Sequence, residues 1–197
     1  MSPESSPFAA WESFYVIVGS SAGGLTGLQF VVMALIAESW PRSTPSTLAA
    51  FGTPTIVHFC SALLVSAILS APWPDTGGAG LALLVLGLSG IVYGLITTRR
   101  ARRQTGYQPV FEDWLWHSAL PLVAYTAIAL AELVFGLATT YGMFTVGGAV
   151  LLLLLIGIHN AWDTATYITL AATEQRERRL EARKARLARQ ATNESKS

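Results

Sequence analysis

GLALLVLGLSGIVYGLITTRRARR, residues 80–103, is the stretch that decides the fold. Residues 80–98 carry no charged side chain, and Arg99, Arg100, Arg102 and Arg103 follow at once. A run of about 20 apolar residues has the length of an α-helix that crosses a bilayer. In lipid, a lone segment can satisfy its own backbone only as a helix. Arginines that close such a run mark its cytoplasmic end, because the Lys/Arg bias of short loops sets orientation.

Four further apolar runs lie at about 14–37, 53–71, 114–140 and 144–172. Threaded back and forth, the five runs put Arg42, the arginine cluster and every base from Arg176 to Lys196 on one side. Glu4, Glu12 and Asp75 fall on the other. The sequence therefore predicts an all-α polytopic membrane protein. Residues 1–172 form a bundle of five transmembrane helices in the cell inner membrane, N-terminus outside and C-terminus cytoplasmic. Residues 173–197 form a basic cytoplasmic tail, rich in Ala, Arg, Glu and Leu and expected to stay helical to about residue 190. Aromatic residues frame the bundle: Trp11, Phe14, Trp73, Tyr141 and Phe144 at the outer ends, and Trp40, Tyr107, Phe111, Trp114, Trp116 and Tyr167 towards the inner ends. Such rings favour the headgroup level. A short turn is expected near Tyr141–Gly142.

Composition narrows the function. Charged residues make up 13% of the chain, against about 25% in soluble domains, and five helices leave no room for a soluble catalytic domain. An enzyme is not expected. Cys60 is the single cysteine, so no intrachain disulfide forms. No lysine lies in any apolar run, which excludes a retinal Schiff base. There is no phosphate-binding loop, no zinc-type ligand spacing and no Ser/His/Asp set with an oxyanion site. The first run is too long for a cleaved leader and lacks a basic start, so it is expected to remain as a helix. The basic tail is expected to meet anionic lipid headgroups; nucleic acid is not an expected partner.

Small residues at spacing four mark faces where helices approach closely: Gly19, Gly23 and Gly27; Ala62, Ser66 and Ser70; Gly90 and Gly94; Gly157, Ala161 and Ala165. A surplus of such faces points to a homo-oligomer. Ionisable groups in hydrocarbon are costly and usually face a bundle interior or a watery cavity. The candidates are Gln29, His58, His117, Glu132, His159 and Asp163, with Asn160 beside them. His159 and Asp163, four apart, share one helix face, and the Gly157/Ala161/Ala165 stripe is expected to lie on another.

The expected function is passive transport of protons or small cations by an oligomeric channel or transporter. His159, Asp163, Glu132, Gln29, His58 and Asn160 would line its path. Two other readings stand beside it. One is a redox subunit holding haem or another cofactor on His58, His117 or His159. The other is a non-catalytic accessory or assembly subunit. Each polar residue also has a structural reading: a closed His159–Asp163 network joined by Gln29 or a threonine, a single hydrogen bond from Glu132 to a neighbouring helix, and a headgroup-level position for His117.

Overall fold

The computed structural model describes residues 8–39, 45–102, 111–137 and 139–194. Glu4, Trp40, Arg42, Arg103, Tyr107 and Lys196, used above to frame the topology, lie outside the described residues. A single 3₁₀ turn, Ala9–Trp11, leads into α1, Glu12–Ser39. There follow α2, Pro45–Ser70, α3, Thr76–Arg102, α4, residues 111–135, and α5, Thr140–Glu194. No strand occurs among the described residues. Among the described residues, five helical segments are long and apolar enough to cross a membrane: Ala9–Ala34, Thr53–Ser70, Thr76–Arg100, Leu115–Val134 and Thr140–Thr166. α1 and α3 outrun the apolar segments that predict them at both ends and α2 at its start, whereas α4 stops at residue 135, short of the expected 140, because Gly136 ends it.

The helix ends follow from local chemistry. Between α2 and α3, Pro72 and Pro74 cannot continue a helix. The Trp73 indole N–H donates to the Ile68 carbonyl at 2.6 Å, folding the turn back on α2. Asp75 then caps α3, its Oδ1 accepting the Gly77 N–H at 2.8 Å. In α4 the turns at Leu115–Ala119 and Ala131–Phe135 are widened to π geometry. The first immediately precedes Pro121, which has no N–H for the carbonyl four residues back.

The α4–α5 turn differs from the sequence expectation. It lies between Gly136 and Thr139 rather than at Tyr141–Gly142, which fall in the first turn of α5. Gly136 takes φ +70, a conformation open to glycine and strained for other residues. Its N–H donates to the Glu132 carbonyl at 3.1 Å. Thr139 caps α5, with its Oγ1 accepting the Gly142 N–H at 3.0 Å.

Packing is pairwise. α1 lies on α2, α2 on α5, α3 on α4 and α4 on α5, with a lighter contact of α1 on α5. Small residues let these pairs close up. A Cβ on Gly19 would stand 2.9 Å from Ser66 Cβ, and one on Gly87 would stand 2.8 Å from the Ala129 backbone nitrogen. Gly90 lies flat beneath the Tyr125 ring and Gly157 beneath the Phe59 ring, with no room for a Cβ at either. Gly27, third in the stripe on α1, has no neighbour within 4 Å. Ile17, Leu81, Leu133 and Leu155 face outward along the whole bundle, the reverse of a water-soluble surface.

Candidate functional site: a buried polar layer

The contacts between helices also set their relative heights. Gly19 on Ser66 and Gly23 on Leu63 put α1 and α2 antiparallel, in a register that carries Gln29 to the level of Thr55–His58. Gly157 on Phe59 brings Asn160 to the level of Thr55 and Ile56. Three helices thus send Gln29, Thr55, His58 and Asn160 into the interior at one level. All four side chains are buried; Gln29 is 3% exposed and Asn160 2%.

The layer is incompletely hydrogen-bonded. Gln29 Nε2, Thr55 Oγ1 and both amide atoms of Asn160 are buried without a hydrogen-bond partner. Native interiors leave few such groups orphaned, and each one marks strain, function or a missing small partner. Thr164, one turn beyond Asn160, satisfies itself by donating to the Asn160 carbonyl at 2.8 Å.

His58 opens a connected chain. Its Nδ1 lies 3.0 Å from the Tyr125 hydroxyl, which lies 2.9 Å from Ser61 Oγ. Ser61 in turn donates to the Val57 carbonyl at 2.8 Å. Because the Ser61 proton goes to Val57, the Tyr125 hydroxyl donates to Ser61 and accepts from the His58 Nδ1–H. Sequence reasoning missed Tyr125 and Ser61. An aromatic residue and a serine in apolar runs carry no distinguishing spacing, and only the α2–α4 contact joins them.

As expected, the Gly157 side of α5 and the His159–Asp163 side are different faces, but the inward one is the Gly157 side, not the pair's. Asn160 and Thr164 lie on the buried face with Gly157, whereas His159 and Asp163 point away from it. The His159 ring stacks on Trp116 of α4, centroids 3.9 Å apart and planes 19° from parallel. Its Nε2 stands 3.1 Å from Asp163 Oδ2, with side-chain exposures of 23% and 51%. That approach lacks hydrogen-bond geometry, and Nε2 has no other partner. The pair forms as its spacing predicts, but on the outer side of the chain beside the exposed Trp162.

Glu132 stands apart from both groups. Its Oε2 accepts the Leu137 N–H at 3.0 Å, and its carboxyl group fills the space that a side chain on Gly80 would need. It therefore ties the end of α4 to α3. His117 is exposed, within the widened turn of α4. Among the described residues, no three His, Cys, Asp or Glu side chains gather closely enough to hold a metal ion. No protein family, curated protein or solved structure matches this chain.

Proposed function

We propose that this is a multi-pass protein of the cell membrane, N-terminus outside and C-terminus cytoplasmic, that passes protons or small cations passively through its helix bundle. The observation that carries the reading is the layer of Gln29, Thr55, His58 and Asn160: buried polar side chains from three helices, at one height, with unpartnered atoms. In hydrocarbon such groups usually face one another or a watery cavity. A hydrated path supplies the missing partners at little cost, whereas a dry bundle leaves each orphan unpaid by about 1–3 kcal/mol.

A second copy of the chain belongs to the same reading. Asp163 sits half-exposed near the end of the apolar part of α5, beside His159, which stacks on Trp116 of α4. A carboxylate facing acyl chains is expensive, and a neighbouring subunit would cover it. The exposed Arg176, Arg178, Arg179, Arg183 and Arg186 suit anionic headgroups on the cytoplasmic side.

The test is flux. Purified protein in liposomes loaded with a pH-sensitive dye is given a potassium diffusion potential, and the same is done with sodium- and potassium-sensitive dyes. Transport of at least one of these cations is expected, and Asn160→Leu is expected to remove it. Vesicles no leakier with protein than without it would sink the proposal.

A further inference from the structure

The transport reading leaves open which cation crosses, and the orphaned atoms of the layer bear on that choice. We infer that the layer selects protons and rejects sodium and potassium, with His58 the proton-carrying group and the Gln29 and Asn160 amides the barrier. This inference rests on the transport reading and specifies its substrate.

A bare alkali cation leaves water only where oxygens replace its hydration shell. The layer does not offer an oxygen-only shell. Gln29 Nε2 and Asn160 Nδ2 are both unpartnered N–H₂ donors, whose positive ends repel a cation. Rotating the Asn160 amide does not help, because both of its terminal atoms are unpartnered and one always presents hydrogen. Nor does the layer hold a carboxylate. Asp163 lies at a similar height but faces outward, and Glu132 is engaged with Leu137 and Gly80 at the far end of α4. Alternating donors and acceptors with no fixed charge suit water molecules, which give and accept in equal measure.

A proton needs no oxygen cage. It crosses a layer of this kind by exchange between water and a side chain that binds and releases it. Among Gln29, Thr55, His58 and Asn160, the imidazole alone has a ring nitrogen that binds and releases a proton. With Nδ1–H donating to the Tyr125 hydroxyl, Tyr125 to Ser61 and Ser61 to the Val57 carbonyl, every proton of that chain is engaged and Nε2 is the site of exchange. Uptake of a proton from water at Nε2 gives imidazolium, and its release from Nε2 to water returns the same neutral tautomer.

The experiment uses the full-length protein in liposomes, with proton, sodium and potassium fluxes measured side by side under the same potential. Proton flux well above protein-free vesicles is expected, with sodium and potassium at background. Asn160→Asp and Gln29→Glu each exchange an amide donor for carboxylate oxygen, and each is expected to raise sodium flux about tenfold or more. His58→Gln keeps a polar side chain of similar reach and is expected to abolish proton flux. Folding of each variant is checked by elution volume and melting. Sodium or potassium flux comparable to proton flux in the wild type overturns the inference while leaving transport standing. So does undiminished proton flux in folded His58→Gln. Absence of flux for all three cations overturns transport and selectivity together.

Discussion

Gly87→Ala probes how closely the backbones of α3 and α4 approach, and with them how Tyr125 is held. A Cβ at residue 87 would lie 2.8 Å from the Ala129 nitrogen and 2.9 Å from the Tyr125 carbonyl oxygen. Both are backbone atoms, so no side-chain rotation relieves the overlap. Ordinary contact begins at 3.4 Å, so α4 must move by about 0.6 Å, and a gap of that order forfeits a quarter to a half of each dispersion contact along the seam. The contacts at stake include Gly90 on the Tyr125 ring and Gly94 on Leu122. Overpacking of this kind costs about 1–3 kcal/mol. Alanine's better helix propensity returns about 1 kcal/mol, for a net loss of about 0–2 kcal/mol and a gap of about 1–3 kcal/mol to a glycine whose replacement meets no clash. The assay is reversible unfolding in mixed micelles, followed by circular dichroism. The control is Gly24→Ala, where nothing lies within 4 Å and the same propensity gain meets no clash. Gly24→Ala should be as stable as the wild type or more so. If the two variants unfold within about 0.5 kcal/mol of each other, α3 and α4 do not touch backbone to backbone and the position of Tyr125 needs another explanation.

Tyr125→Phe removes the hydroxyl shared by His58 and Ser61; at about 0.6 kcal/mol per buried bond in a membrane bundle the loss is about 1 kcal/mol, and the Nδ1 resonance of His58 in ¹⁵N-histidine-labelled protein should move, while an unmoved resonance would mean the two rings are not bonded. Gly136→Ala forces a side chain into φ +70, ψ 134, which should cost about 1–3 kcal/mol; melting equal to the wild type would contradict the turn geometry. Glu132→Ala strips the Leu137 N–H of its acceptor and should destabilise by about 1–3 kcal/mol, seen as a lower unfolding midpoint in micelles.

The five helices were legible because a bilayer-length apolar run has no other simple meaning, and because Pro72, Pro74 and Asp75 punctuate the α2–α3 turn. The α4–α5 turn was not. Gly136 sits inside a continuous apolar run, and its positive φ is a property of the backbone rather than of any sequence period. Tyr141–Gly142, which resembles a turn dipeptide, is drawn into α5 because Thr139 caps the helix just before it. In the site, spacing alone pairs His159 with Asp163. It does not say which way the pair faces, because small residues border both sides of α5. Gln29 and Asn160 stood out as polar residues in apolar runs, but their common height depends on Gly19, Gly23 and Gly157 setting the helix registers.

The same helix that carries Asn160 runs unbroken to Glu194. Those two residues are about 51 Å apart at 1.5 Å per residue. A tilt of 5° about Asn160 would sweep the far end through about 4 Å, so α5 has the mechanics of a lever with its fulcrum in the polar layer. A load on the arginine-rich arm, whether a bound protein or a charged surface, would exert torque on the amide that lines the layer. Conversely, a fluorophore near the end of the arm would magnify any movement there into a displacement large enough to measure by energy transfer.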